Sequence, residues 1–522
     1  MSKRFGFLVA VVVCVCLLVW TPPAASGAKN VILMISDGAG FNTWDAASMY
    51  QGRLGKQVYD GAGWVRLACT TYPLSRNVEP SGSNRQDPNL IYDPAKAWDA
   101  TAVLRRGAKT LPFAGYEFLR RTATDSAAAG TAMATGVKTF DNAINWSDLG
   151  EPLAGRTIAE IAKGRAKRIG VVTSVQWSHA TPATLGGAHN ASRDNYAAIA
   201  NEMLDAPWLD LIMGAGHPEF DDDGKPAAGK KQYKYVGGAA TWERLRAGKH
   251  PGAWTLVETK AGFESLAQGP TPAKVLGVAQ AATTLQAKRG KKKTDSPDAA
   301  YRPGDPAAPG ATPFACPFNP HVPSLETMTR AALNCLDDHP GGFFLMIEGG
   351  AVDWANHANQ AERMIEEQID FLGAVEAVVG WVEKHSHWDE TLVILTSDHE
   401  TGVIWGPRSD RVAFEPIVDR GKARVPGLRY HCDSHGNSLV PLYARGPDSD
   451  QFLRLVRGTD AVAAAKHGFS GQYVDNTDIF AVMRLGLLGA SRSHKLPACG
   501  ASFRNRKLAA CAYGATATVG RN

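Results

Sequence analysis

Three short apolar runs, far apart in the chain, each break off into carboxylate or imidazole side chains. Residues 31–35 lead into Ser36, Asp37 and Gly38. Residues 343–347 lead into Glu348, with Asp353 and His357 close behind. Residues 392–395 lead into Thr396, Ser397, Asp398, His399 and Glu400. Runs of Val, Ile, Leu and Phe without a polar alternate face read as strands covered on both sides, the habit of a parallel sheet. Similar runs stand at 169–173, 209–213 and 439–443, and helical periodicity at 157–167 and 359–384 alternates with them. The pattern predicts a three-layer α/β/α sandwich around a large, mostly parallel sheet, with loop insertions over the active site. Ligands of such sheets bind outside the carboxyl ends of the strands, so these distant polar residues are expected to meet there.

The N-terminus obeys other rules. Lys3 and Arg4 precede an apolar stretch from Phe5 to Trp20, and small residues follow up to Ala28. A basic start, an apolar segment and a small-residue end describe a secretory signal peptide, and the stretch falls short of the ~20 residues that span a bilayer. Residues 1–28 are therefore expected to be removed, leaving an exported protein, periplasmic or extracellular, with no stable membrane anchor. Removal takes away two basic residues and no acid, so the formal charge of +5 becomes +3. So small an excess argues against a nucleic-acid partner. Cys14 and Cys16 would leave with the leader; Cys69, Cys316, Cys335, Cys432, Cys499 and Cys511 remain. In an exported chain an even number favours disulfides, and Cys499 with Cys511 is the pair expected.

The catalytic region is expected to run from 29 to 485, interrupted by insertions at about 73–112, 216–325 and 402–432, with a tail at 486–522. The second insertion carries a basic run (Lys288, Arg289, Lys291, Lys292, Lys293) and then a Pro/Gly/Ala-rich stretch. It reads as an exposed loop whose charges are solvated. Asp221, Asp222 and Asp223 lack the distal Glu of a calcium loop and read as a turn. Residues 402–432 lie between two ligand clusters and are placed to roof over a site.

The chemistry sits in a few residues. Asp353 and His357, spaced i, i+4 at a helix start, present both side chains on one face and can grip one ion. Asp398 and His399 suit a strand terminus, and His435 supplies another imidazole. Asp and His ligands without thiolates suit a catalytic zinc, whereas the oxygens of Asp37 and Glu348 suit magnesium. Ser126 follows Asp125 and precedes small, helix-compatible residues, so it reads either as a helix cap or as a nucleophile at a helix N-terminus.

The segment from Asp125 through Ser126 to Gly136 resembles the nucleophile segment of alkaline phosphatases. The resemblance extends, in order, through Ser36-Asp37-Gly38, His179-Ala180-Thr181-Pro182, Glu348 to Asp353, Thr396 to His399, and Ser434-His435-Gly436. It covers most of residues 29–485. It implies two zinc ions and one magnesium ion: Asp353, His357 and His435 for the first zinc; Asp37, Asp398 and His399 for the second, joined by Ser126; and Asp37, Thr181 and Glu348 for magnesium, with His179 beside it. It also implies that Arg193 clamps two phosphate oxygens, that Asp125 orients Arg193, and that Trp354 lies near the phosphate. The implied activity is hydrolysis of small phosphate monoesters through a phosphoserine, and a homodimer is compatible with it. His179 and Trp354 depart from some members, which bears on magnesium affinity and pH optimum. The alternative is a phosphodiesterase or another hydrolase of the same superfamily. A sulfatase would need a Cys or Ser in a C/S-x-P-x-R setting, which residues 316–320 do not supply.

Overall fold

A computed structural model describes residues 27–104, 110–229, 231–290 and 312–489. Residues 1–26 of the expected leader (1–28), part of the basic run (291–293) and both cysteines of the expected pair, Cys499 and Cys511, lie outside those residues. Among the described residues, Cys69, Cys316, Cys335 and Cys432 are unpaired, and no helix is long and apolar enough to cross a membrane.

The strands, in chain order, are β1 (Asn30–Ser36), β2 (Val65–Thr70), β3 (Arg168–Gln176), β4 (Leu211–Ala215), β5 (Thr255–Val257), β6 (Val275–Val278), β7 (Phe343–Gly349), β8 (Thr391–Thr396), β9 (Glu400–Thr401), β10 (His435–Gly436), β11 (Val440–Arg445), β12 (Gly458–Thr459) and β13 (Gln472–Asp475). Eleven of them form one sheet in the order β12-β13-β2-β11-β8-β1-β7-β3-β4-β6-β5, and β9 pairs with β10 in a separate two-stranded ladder. The core from β8 through β1, β7 and β3 to β4 is parallel; β11 runs antiparallel to both β8 and β2.

β1 shows why the apolar runs are continuous. Ile32 and Met34 pack into one core, with helices Phe41–Gln51, Leu325–Leu336 and Ala361–His385. Val31, Leu33 and Ile35 pack into the other, with helices Ser126–Thr135, Tyr196–Asp205 and Asn476–Leu488. Alternate residues thus bury on opposite faces, as a sheet covered twice requires. The α/β/α sandwich is the architecture expected.

Three expectations need correction. The helix expected over 157–167 spans only Ile158–Lys163: Thr157 and Glu160 close a capping box at its start, and Ala166 at φ 56° turns the chain out of it. The segment 216–325 is not loop throughout, because two strands (β5, β6) and two helices (Ala239–Arg246, Lys260–Leu266) within it extend the sheet edge. Short strands with few apolar residues gave little periodicity to read. The basic run is not uniformly solvated either. Arg289 is buried and bonds to Glu366 at 2.8 Å and to the carbonyls of Gln286, Cys316 and Pro317. The acidic turn stands as expected, Asp221 accepting from the amides of Asp223 and Lys225.

Candidate metal centre

Strand register brings the ligands together. Ile35 of β1 lies opposite Glu348 of β7 and Thr396 of β8, so Asp37, Glu348 and Asp398 emerge side by side at the carboxyl ends of three neighbouring parallel strands. Gly38 makes the turn out of β1 at φ 66°, and a Cβ there would stand 2.6 Å from Asp353 Oδ1, so glycine is required. β7 runs on through Gly350 into helix Ala351–His357, which carries Asp353 and His357 on one face. The β9–β10 ladder pairs Thr401 with His435 and stacks the His399 and His435 rings 3.7 Å apart.

Two subclusters result. In the first, Asp353 lies 3.2 Å from His357 Nε2 and 3.6 Å from His435 Nε2, and the two Nε2 atoms are 3.0 Å apart. His357 Nδ1 donates to the Asp433 carbonyl and His435 Nδ1 to the Thr124 carbonyl, each at 2.7 Å. These bonds set the tautomers, so both Nε2 lone pairs converge on one point, the arrangement that holds a metal ligand in place. In the second, His399 Nε2 lies 3.3 Å from Asp398, 3.6 Å from Asp37 and 3.2 Å from the Ser126 hydroxyl. The Asp353–His357–His435 and Asp37–Asp353–His399 groups each gather their ligand atoms closely enough for one ion.

The electrostatics call for cations. Both carboxylate oxygens of Asp37, Asp398 Oδ2, Glu348 Oε1 and the Thr181 hydroxyl are buried without a hydrogen-bond partner. Burial, together with Asp398 and Asp353, pushes Asp37 well above the usual carboxylate range. Burial lifts Glu348 to about 7 against the hydrogen bond from Thr173, and lifts Asp398 to about 6. Burial pushes His399 down to about 4 and, with His399 alongside, His435 down to about 3. Burial opposes ionisation of Asp353 too, but His357, His435 and His399 outweigh it and hold the carboxyl below its ordinary value. His357 rises to about 9 in return. So many unpaired acceptors in a dry site are costly unless positive charge is supplied. Oxygen and imidazole donors without thiolate fit zinc and magnesium.

Ser126 begins the buried helix Ser126–Thr135, with Asp125 as its N-cap accepting from the Ala128 amide at 2.9 Å. The other oxygen of Asp125 accepts from Arg193 at 2.8 Å, and Arg193 also lies 3.4 Å from His179 Nε2. Burial works against the Asp125 carboxylate, but Arg193 and the amide bonds keep it below the usual range. Ser126, Arg193, His179, Trp354 and the first subcluster line one cavity of about 530 Å³. None of residues 402–432 lines it. Residues 402–432 pair Trp405 with Arg429 and pack Trp405 and Phe414 against Trp98, and Phe414 against Tyr116.

Several contributors escaped the sequence reading. Thr173, the cross-strand neighbour of Glu348, donates to its carboxylate, and Thr401 donates to Asp353 at 2.6 Å. Lys288 lines the cavity with its ammonium 4.1 Å from the centre of the Trp354 ring. Only register could have found Thr173, and nothing local marks Lys288.

A mostly parallel α/β/α sheet whose strand ends gather buried carboxylates and imidazoles beside a serine that opens a buried helix defines a metal-centre scaffold of the hydrolase type. The alkaline phosphatase family model matches residues 116–431, and the chain belongs to the alkaline phosphatase family. It is 32% identical over 349 residues to alkaline phosphatase 4 of Bacillus subtilis (strain 168), covering 66% of this chain and 63% of that protein, just under two thirds of its length. It is 26% identical over 462 residues to the alkaline phosphatase of Escherichia coli (strain K12), covering 83% and 84%. The solved alkaline phosphatase of the Antarctic bacterium TAB5 shares the fold at a TM-score of 0.54 and 22% identity, covering 90% of this chain and all of that one. A solved variant of that enzyme holds Mg in its M3 site.

Proposed function

We propose that this chain hydrolyses phosphate monoesters through a phosphoserine formed on Ser126, using two zinc ions and one magnesium ion. The observation that carries the reading is the Ser126 hydroxyl. It sits at a helix N-terminus, 3.2 Å from His399, in one cavity with an arginine tied to the neighbouring Asp125. Asp353, His357 and His435 would hold one zinc, Asp37, Asp398 and His399 the other, and Asp37, Thr181 and Glu348 magnesium, with His179 alongside. Bound, the ions supply Lewis-acid stabilisation of the attacking and leaving oxygens and offset the buried carboxylates.

The protein's own groups do the positioning. Arg193, held by Asp125, presents a planar fork to two phosphoryl oxygens. The helix amides behind Ser126 add partial positive charge where phosphate charge concentrates. Ser126 Oγ gives up its proton to solvent and bonds to phosphorus as the ester oxygen departs with its electron pair and takes a proton from solvent. Water then cleaves the phosphoserine, returning the hydroxyl and releasing inorganic phosphate. The monoester preference rests on Arg193, whose two donors suit a dianion better than a diester. The leader implies action in the periplasm or outside the cell.

The test is acid quenching of the zinc- and magnesium-loaded enzyme with a radiolabelled aryl phosphate. Label should attach to the wild type and not to Ser126→Ala, whose turnover should fall at least a thousandfold, as expected on losing a covalent nucleophile. Turnover of Ser126→Ala within tenfold of wild type, or faster cleavage of an aryl diester than of the monoester, would sink the proposal.

A further inference from the structure

Between Asp353 and His357, helix Ala351–His357 buries an amide that the metal and phosphate roles do not account for. Asn356 is fully buried, and both ends of its side chain are engaged. Nδ2 donates to the Gly38 carbonyl at 3.1 Å, and Oδ1 accepts from the Tyr430 hydroxyl at 3.0 Å. A carbonyl can only accept, so Gly38 fixes which way the amide points and the Tyr430 hydroxyl must donate. Two such bonds add little stability over a well-packed apolar side chain, but they orient what they join.

What they join are the two metal subclusters. Gly38 turns the chain out of β1 directly after Asp37, and its own amide donates to Asp398 Oδ1 at 3.1 Å. Its N–H thus holds a ligand of the second subcluster, while its C=O holds the helix that carries Asp353 and His357 of the first. The other partner of Asn356 belongs to the insertion at 402–432. Tyr430 is buried with its ring against Gly402, where a Cβ would stand 2.6 Å from a ring carbon. Gly402 in turn accepts from the amides of His431 and Cys432 and donates to the Ser434 carbonyl. The Asp433 carbonyl accepts from His357 Nδ1 at 2.7 Å. The Asn359 amide, its nitrogen turned toward them, donates to the carbonyls of Asn356 and Cys432 at 3.1 and 2.9 Å. Residues 430–433 therefore hold the helix and its exit at three points: Asn356, His357 and Asn359.

We propose that Asn356 is a positioning residue that sets the spacing between the two zinc subsites, and that Tyr430 acts through it, so that the 402–432 insertion braces the metal centre. The inference rests on the zinc reading above. Groups that orient ligands without touching the ion are worth ~10–100-fold in metal affinity.

The experiment titrates the metal-free full chain with zinc against a chromophoric chelator, and with cobalt(II) to read ligand geometry from the visible spectrum. Wild type is compared with Asn356→Leu, Tyr430→Phe and the double variant. Asn356→Leu keeps the branching of the side chain and removes both bonds. It should weaken at least one of the two zinc-binding steps ~10–100-fold and shift the cobalt bands. Tyr430→Phe removes one hydroxyl, keeps the ring against Gly402, and should weaken the same step about tenfold; it carries the test should Asn356→Leu not fold. The double variant should bind zinc no more weakly than Asn356→Leu, because Tyr430 acts through that amide. Additive losses would overturn the role given to Tyr430. A lowered urea midpoint with both zinc affinities and the cobalt spectrum unchanged would mark Asn356 as structural only and overturn the proposal, leaving the zinc reading intact. Wild type that binds no zinc would instead sink that reading, and the proposal with it.

Discussion

The Arg289 clamp offers a perturbation whose size follows from its surroundings. Its guanidinium and the Glu366 carboxylate are only 1% and 2% exposed, so solvent does not screen the pair. Arg289→Met removes that partner and leaves the carbonyls of Gln286, Cys316 and Pro317 without their donor. Breaking a buried pair from one side costs ~3–5 kcal/mol. Glu366 keeps Arg363 at 2.9 Å and the Phe314 amide, so the lower end, about 3 kcal/mol, is expected. Because the clamp ties loops to one long helix, the cost should appear as local opening rather than global unfolding. About 3 kcal/mol is roughly a hundredfold in an opening equilibrium. Hydrogen–deuterium exchange should therefore speed up about that much in residues 284–290 and 312–318, while β1, β7 and β8 stay protected. Glu366→Gln added to Arg289→Met should open the loops further, because Arg363 then loses its carboxylate partner. Loop exchange altered by less than about threefold would refute the claim that Arg289 anchors the Lys288 turn.

Further consequences can be measured directly. Burial, with Asp370 nearby, raises Glu367 from 4.5 to about 8, so between those values the folded protein keeps a proton that the unfolded chain has released. Stability should fall as pH rises through that window, by up to a few kcal/mol, and Glu367→Gln should flatten urea midpoints measured from pH 5 to 9. An equally steep decline in the variant would exclude Glu367 as its source. Thr173→Val removes the hydroxyl that holds Glu348 and should weaken magnesium binding ~10–100-fold by titration of the zinc-loaded protein, with zinc content unchanged. Asp125→Asn keeps a competent helix cap but loosens Arg193, so KM for an aryl phosphate and Ki for phosphate should both rise about tenfold; unchanged values would show that Arg193 needs no anchor.

What the sequence discloses depends on how locally each feature is encoded. Asp37, Glu348 and Asp398 are legible because each stands at or just past the end of an apolar run, and Asp353 with His357 because helical spacing is a property of the chain. His435 is legible for the opposite reason: it precedes the apolar run of β11. β11 is antiparallel to β8, so its beginning lies at the edge where its parallel neighbours finish. Thr173 reaches Glu348 through a cross-strand register that composition does not reveal. Arg289 sits in a run of bases whose usual fate is solvation, and its partner Glu366 lies 77 residues on. Lys288 inherits its position from that contact. The packing of residues 402–432 depends on aromatic contacts with Trp98 and Tyr116, which belong to another part of the chain.

The register that sets Ile35 beside both Glu348 and Thr396 also acts as a ruler. Backbone hydrogen bonds, not side chains, hold neighbouring strands ~4.8 Å apart. Exchanging one donor for another at the mouth of β1, β7 or β8 therefore changes which ion is preferred but not the station from which the donor reaches. Redesign of the centre can treat donor chemistry and donor spacing as separate choices, the first open to point substitution and the second written into the sheet.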